Sequence, residues 1–263
     1  MLKLIKKFIG VGVLLSSVYL FLFLYLRDKV FVLVYHQIGD YKGGLKSLYV
    51  RPEVFESQME FLFKRGYKTI SLEELRKQVE NKRIIPKNFC ITFDDGYKNN
   101  FEYAYPVLKK YNFKATVFVT TDAIGRDYSY PYMPAARHLS EEDIKKIRDI
   151  FEIGSHSVSH KNMAEVSEEE IINEIKFSKK KLESIAGDKV KHFCYPFGRN
   201  FEGYNILLSS YGYLTACSLK KGFVDENTDI YLIPRFEWKD ISAMSVKDFF
   251  KNFSFYVKIV LGV

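Results

Sequence analysis

Short runs of apolar, β-branched and aromatic residues recur along the chain, each ending in polar residues and leading into a stretch with helical spacing. The runs are Val30–Tyr35, Phe89–Phe93, Ala115–Thr120, Phe151–Gly154, His192–Tyr195, Tyr213–Cys217 and Ile230–Ile233. Helical patterns lie between them near 52–65, 71–79, 98–111, 140–149, 167–186 and 201–211. Ser167-Glu168-Glu169-Glu170 and Ser140-Glu141-Glu142-Asp143 read as capping-box starts, with a serine closing the first turn and acidic residues inside it. Strand–helix alternation of this kind predicts an α/β fold with a parallel sheet, and about seven strands suit one barrel-like domain.

The N-terminus follows a different rule. No charged residue occurs from Phe8 to Leu26, a stretch long enough to cross a bilayer as a helix. Lys3, Lys6 and Lys7 precede it, and Arg27 and Lys29 follow, so the basic residues favour a cytoplasmic N-terminus. The bulky run Tyr19–Leu26 offers no small-residue cleavage site. The expectation is one N-terminal transmembrane helix acting as an uncleaved signal anchor. Residues 1–29 would then form a cytoplasmic stub and anchor, and residues 30–263 a single-pass membrane protein's extracytoplasmic catalytic domain. Cleavage of the segment would instead give a secreted protein.

Composition narrows the possibilities. Hydrophobic residues make up 47% of the chain and aromatics 16%, enough for a large core and too many for a disordered protein. The net charge of +8 is scattered and comes with no recognition motif, so a nucleic-acid partner is not expected. Cys90, Cys194 and Cys217 are too few and too far apart for a disulfide framework or a four-cysteine zinc site. They read as small buried hydrophobes, with a Cys90–Cys194 pair open in an oxidising compartment.

Candidate chemistry gathers at the strand ends. His36, Asp94-Asp95, His156 and Tyr195-Pro196 each fall at the C-terminal end of a different predicted strand, the end where α/β barrels place their sites. Asp94-Asp95-Gly96 alone is ordinary turn chemistry. Two adjacent carboxylates must point in different directions, however, so one can bind a metal while the other acts as a base. His156 and His160 are four residues apart and can converge on one ion if the backbone turns helically. Two histidines, one carboxylate and an open position make a typical catalytic zinc set.

These motifs together resemble the polysaccharide deacetylase family, also called the NodB homology domain or carbohydrate esterase family four. The matching text is Phe93-Asp94-Asp95-Gly96-Tyr97, Tyr105–Tyr111, Ala115–Val119, Glu152–His160 and Phe193-Cys194-Tyr195-Pro196-Phe197-Gly198. The resemblance implies a distorted (β/α) barrel with fewer than eight complete units. It also implies hydrolysis of acetyl groups on sugars. By position it makes Asp94 the catalytic base and Asp95, His156 and His160 the ligands of a divalent metal, with zinc first and other divalent ions open. It places the oxyanion donor at a backbone N–H near Tyr195 and Pro196. Many members carry an Arg-x-Pro-aromatic motif and a late Leu-x-His, but no histidine follows His192 in this chain. The opening Leu33-Val34-Tyr35-His36-Gln37 is similar to that of biofilm poly-N-acetylglucosamine deacetylases, in which the first strand supplies the histidine. His36 is thus the candidate general acid, against a packed or turn histidine, and His138 and His192 read as structural. Arg235 is the candidate partner of Asp94, against a surface arginine. The expected substrate is an N-acetylglucosamine polymer, with poly-N-acetylglucosamine ahead of peptidoglycan or chitin-type chains. The alternative is a membrane-tethered glycan-binding protein without turnover.

Overall fold

The computed structural model describes residues 25–240 and 253–261, together with Ser17 and residues 20–22. The strands are β1 (Phe31–Tyr35), β2 (Gln37–Ile38), β3 (Tyr49–Val50), β4 (Lys68–Thr69), β5 (Asn88–Phe93), β6 (Ala115–Val119), β7 (Asp127–Tyr128), β8 (Ala136–Arg137), β9 (Phe151–Ser155), β10 (His192–Cys194), β11 (Thr215–Cys217) and β12 (Phe236–Glu237). Seven of them form a half-barrel in the order β11-β10-β9-β6-β5-β1-β12, with β4 paired to β5 off this path. Every pairing in that sheet is parallel. A single parallel bridge from Cys217 to Ile233 links the segment before β12 to β11 at the other edge.

Both faces of the strands are covered, which is why the runs read as nearly continuous apolar stretches. On β1 and β5, Phe31, Leu33, Tyr35, Phe89, Ile91 and Phe93 face the helices and join the main core. Val30, Val32 and Cys90 alternate with them and meet Phe118, Cys194, Cys217 and Ile233 in a second, inner cluster. The same alternation carries Thr92 and then Asp94 inward at the end of β5. Gly154 is required by close packing: a Cβ there would stand 2.4 Å from the Phe118 ring.

The helices follow the predicted pattern. They span Pro52–Lys64, Leu72–Glu80, Tyr105–Lys110, Glu141–Lys146, Glu168–Ala186 and Tyr204–Ser210. Ser140 and Ser167 both form complete capping boxes. The helix expected over 98–111 is divided: Asn100–Ala104 forms a wider π-type turn before the α-helix begins at Tyr105. Pro106, which lacks an N–H to donate, sits in that first α-turn.

One predicted strand is displaced. Ile230–Ile233 has β-forming residues, but Asp229 accepts from the amide of Tyr231 and turns the chain, while Pro234 follows directly. The strand forms later, at Phe236–Glu237. All three cysteines are free and buried, so the Cys90–Cys194 pair is not formed.

The predicted anchor over Phe8–Leu26 lies mostly outside the described residues. Among the described residues, no helix is long and apolar enough to cross a membrane. At the other end, Phe253–Leu261 is helical and packs on the domain: Phe255 stacks on Phe236 at 5.2 Å and meets Phe31 and Trp238 edge-on. Lys258 of this helix is buried, and its Nζ donates to the Leu26 carbonyl at 2.6 Å. Burial lowers its pKa to about 7. The unfolded chain therefore binds more protons than the folded one between pH 7 and the ordinary lysine range, and this group makes stability rise with pH there. Urea midpoints at pH 7 and pH 9.5 are expected to show that rise, and Lys258→Met should reduce it by about 2 kcal/mol.

Candidate active site

Strand register brings the polar residues to one rim. Tyr35 pairs with Phe93, so His36 and Asp94 leave adjacent strands at the same level. Ser155 pairs with both Val119 and Phe193, which sets His156 next to Cys194. Asp94, Asp95 and His156 are buried, and His160 is nearly so. His36 Nε2 lies 4.0 Å from Asp94 Oδ2 and keeps a small exposed surface.

Asp94 is held by Arg235, as anticipated. The guanidinium is fully buried and donates from its two terminal nitrogens to the two Asp94 oxygens, each at 2.7 Å. Its remaining contacts reach the Ser218 carbonyl at 2.9 Å, Thr92 Oγ1 at 3.0 Å and Cys194 Sγ at 3.1 Å. Burial alone would raise the Asp94 carboxyl, but the charge and hydrogen bonds of Arg235 hold it below the usual carboxylate range. Asp94 is therefore an oriented anion. Reading an Arg-x-Pro-aromatic motif onto Cys194-Tyr195-Pro196-Phe197 puts cysteine at the arginine position, and Arg235 reaches that space from the segment before β12. Arg235→Met would strand a buried carboxylate, so it is expected to cost about 3–5 kcal/mol in a urea titration. Arg235→Lys should recover little of this, because an ammonium cannot grip both oxygens.

Asp95, His156 and His160 form the second cluster. Asp95 Oδ1 lies 3.4 Å from Nε2 of each histidine, and the imidazole rings meet edge-on at 4.8 Å. Asp95 adopts φ 72° and Gly96 φ 81°, so the chain turns sharply and the two neighbouring aspartates diverge. Burial would raise the Asp95 carboxyl, yet the two histidines hold it well below its ordinary range.

The donor set suits a divalent cation. His156 Nδ1 is 2.8 Å from the Cys194 carbonyl, a contact in which the ring nitrogen must donate. In the neutral ring this leaves a lone pair on Nε2, facing a carboxylate and a second imidazole. Three ligand atoms within 4.8 Å of one another are favourable there with a cation among them. Cys194 with Asp94 and His156 makes an alternative trio, but Arg235 already engages both Asp94 oxygens and burial pushes the Cys194 thiol up.

The loop that carries the histidines is fixed from outside. Ser157 and His160 have φ values of 69° and 59°, and the His160 amide donates to Ser157 Oγ at 3.0 Å. Glu174, on the helix Glu168–Ala186, accepts from the amides of Val158 and Ser159 at 2.7 and 2.8 Å and from Ser159 Oγ at 2.5 Å. Nothing local marks Glu174 beyond its place on an amphipathic helix. Glu174→Ala is expected to loosen the loop and weaken metal affinity about 10–100-fold, measurable by competition with a chromogenic chelator.

Aromatic rings complete the surround. Tyr130 packs on His160 at 4.6 Å, and its hydroxyl approaches the Asp95 carbonyl at 3.4 Å. Phe197 meets the same histidine at 4.7 Å. His138 lies against Tyr97 with Nδ1 on the Ala136 carbonyl, and His192 Nδ1 meets Thr215 Oγ1. Both are packed inside the fold, and neither belongs to the Asp95–His156–His160 cluster. Tyr195 and Pro196 differ from expectation. The Tyr195 amide donates to the Cys217 carbonyl at 3.2 Å and its hydroxyl to the Tyr231 carbonyl at 2.9 Å, while proline has no N–H. Both Tyr195 donors are committed to the sheet and its neighbour, so neither residue offers one to a ligand.

Fold and site together define an α/β half-barrel with a histidine–carboxylate cluster at the C-terminal mouth of its strands. A family model described as polysaccharide deacetylase matches residues 81–216. YxkH of Bacillus subtilis, assigned to the same family by its name, is 31% identical over 209 residues, covering 79% of this chain and 70% of the relative. A poly-β-1,6-N-acetyl-D-glucosamine N-deacetylase of Staphylococcus aureus is 26% identical over 204 residues, covering 73% of this chain and 68% of the relative. The crystal structure of a polysaccharide deacetylase from Bacillus cereus is similar with a TM-score of 0.70 at 31% identity, covering 84% of this chain and 67% of that one. The chain belongs to the polysaccharide deacetylase family.

Proposed function

We propose that this protein hydrolyses N-acetyl groups of an N-acetylglucosamine polymer, with poly-β-1,6-N-acetylglucosamine as the favoured substrate, outside the cytoplasm. The observation that carries this reading is the Asp94–Arg235 ion pair beside the Asp95–His156–His160 trio, with His36 4.0 Å from Asp94. Asp95, His156 and His160 would hold a divalent ion, zinc first, which would supply Lewis acidity by lowering the pKa of a water to near 7 and polarising a carbonyl.

Asp94 takes a proton from the attacking water as the water oxygen bonds to the acetamide carbon. Arg235 fixes the orientation of Asp94 throughout. The carbon–nitrogen bond then breaks, and His36 gives its proton to the leaving amine. Acetate and a glucosamine unit are the products, and proton exchange with solvent resets Asp94 and His36. The Tyr195 amide donates to the Cys217 carbonyl and proline has no N–H, so another backbone N–H near Tyr195 would hold the developing oxyanion.

The substrate assignment is supported by the Staphylococcus aureus relative and by the first-strand position of His36. The location rests on the uncharged stretch Phe8–Leu26, which we read as a single-pass anchor with residues 30–263 outside the cytoplasm. Acetate release should be compared on β-1,6-linked and β-1,4-linked N-acetylglucosamine oligomers and on peptidoglycan fragments. The β-1,6 series is expected to turn over fastest. Faster release from either other class would contradict the substrate assignment while leaving the chemistry in place.

A further inference from the structure

We propose that the end of the domain where the strands begin rests on an anionic phospholipid surface, through the loops at 65–68 and 81–87. This rests on the single-pass anchor read above and adds to it the face that meets the lipid.

The chain enters the domain without a linker. Leu20, Phe21 and Tyr25 are 55%, 65% and 53% exposed, whereas Leu26 is buried and β1 begins at Phe31. The Leu26 carbonyl accepts from Lys258 Nζ at 2.6 Å and from the Lys29 amide at 3.3 Å. Tyr67, in the first loop, donates its hydroxyl to the Lys258 carbonyl at 3.3 Å and meets Phe31 edge-on. The point of entry is thus tied both to the start of β1 and to the loop at 65–68.

The two loops form one surface. Lys68 pairs with Asn88 where β4 lies beside β5, the Lys68 amide donates to the Lys87 carbonyl at 2.9 Å, and Lys87 Nζ donates to the Arg65 carbonyl at 3.1 Å. Gln78 holds the second loop: its side-chain oxygen accepts from the Ile85 amide and its carbonyl from the Arg83 amide, both at 2.9 Å. Together the loops carry Arg65, Lys68, Lys82, Arg83 and Lys87 and no acidic residue. Lys68, Lys82 and Arg83 are exposed and make no ion pair among the described residues. On adjoining segments Glu80 holds Arg76 at 2.5 Å, Asp28 faces Arg27 at 3.1 Å and Asp225 faces Lys29 at 3.6 Å, with Glu226 exposed beyond it.

Apolar surface accompanies the charge. Ile85 is 45% exposed in the middle of the basic loop, and Phe63 is 53% exposed. Phe63, Tyr67, Tyr111 and Phe113 line a cavity of about 480 Å³ beside Lys68. Basic heads set around exposed apolar side chains suit the boundary between phosphates and acyl chains. Each basic residue close to an anionic bilayer strengthens attachment about fivefold. The attraction reaches only about 8 Å at physiological salt, so it acts on a face already held near the lipid. Asp94 leaves the opposite end of β5, which sets the candidate site roughly 15–20 Å farther from the bilayer and facing away from it.

The test measures amide hydrogen exchange of the full chain in nanodiscs, made either of phosphatidylcholine alone or of phosphatidylcholine mixed with phosphatidylglycerol. Exchange at 65–68 and 81–87 is expected to be several-fold slower in the mixed discs, while the rim segment 128–135 exchanges equally in both. Raised salt should abolish the difference. The triple variant Lys68→Gln/Lys82→Asn/Arg83→Gln should lose about a hundredfold in the docking equilibrium and with it the protection. Its melting temperature and its acetate release from a soluble oligomer should match wild type. Equal exchange of the wild-type loops in the two lipids overturns the docking face, as does protection that persists in the folded variant or appears at 128–135 instead. Release of the wild-type chain from membranes by alkaline carbonate is a separate result: it overturns the anchor reading, and the docking face with it.

Discussion

Asp94→Asn is expected to lower kcat by about 10³-fold while the protein still binds one divalent ion per chain. The substitution preserves shape and removes only the anion that receives the proton. The proposed ligands are Asp95, His156 and His160 and not Asp94, so metal content measured by atomic emission should match wild type. A stability cost accompanies the loss of activity, because Arg235 donates to both Asp94 oxygens in a fully buried setting. Removing the carboxylate charge leaves that guanidinium uncompensated, at a cost of about 3–5 kcal/mol. The two effects separate in the double variant Asp94→Asn/Arg235→Met. Stability should return toward wild type while activity stays low. Recovery of activity in the double variant would assign the proton transfer elsewhere.

The second large effect concerns the metal. His160→Ala removes one of three converging ligands and should weaken zinc binding by at least about 100-fold, with acetate release falling in step at low metal concentration. His156→Ala is expected to act similarly and to add a structural penalty, since its ring also donates to the Cys194 carbonyl. Metal affinity is the decisive readout in both cases. A variant that binds zinc as tightly as wild type but has lost activity would show that the histidine acts on substrate rather than on the ion.

Much of this site was legible because strands leave a visible trace. Apolar runs that end in His36, Asp94 and His156 mark the C-terminal mouth of a parallel sheet, and the register then sets those residues side by side. Arg235 was reachable only through the absence of an expected arginine, since nothing in Ile233-Pro234-Arg235-Phe236 signals a residue that crosses the barrel interior. Other contributions had no local signal. Glu174 acts through a helix that packs on β9 after a connecting loop, so its contact with Val158 and Ser159 depends on tertiary packing. Cys194 reads as a small apolar residue, yet its thiol touches both Asp94 and Arg235, at 3.5 and 3.1 Å. The resemblance placed an oxyanion donor at a backbone N–H near Tyr195 and Pro196, yet the Tyr195 amide itself donates to the Cys217 carbonyl of β11. The misplaced strand at Ile230–Ile233 shows the same limit, since propensity located the β-forming residues while Asp229 and Pro234 decided where pairing could occur.

The most direct test of the central claim is acetate release from a fully acetylated N-acetylglucosamine oligomer, measured in one preparation before chelation, after chelation and after zinc is restored. Acetate should appear, stop when the metal is removed and resume when it returns, with Asp94→Asn inactive at every stage. Release that continues unchanged in the chelated protein would contradict the assignment of Asp95, His156 and His160 as the centre of the chemistry.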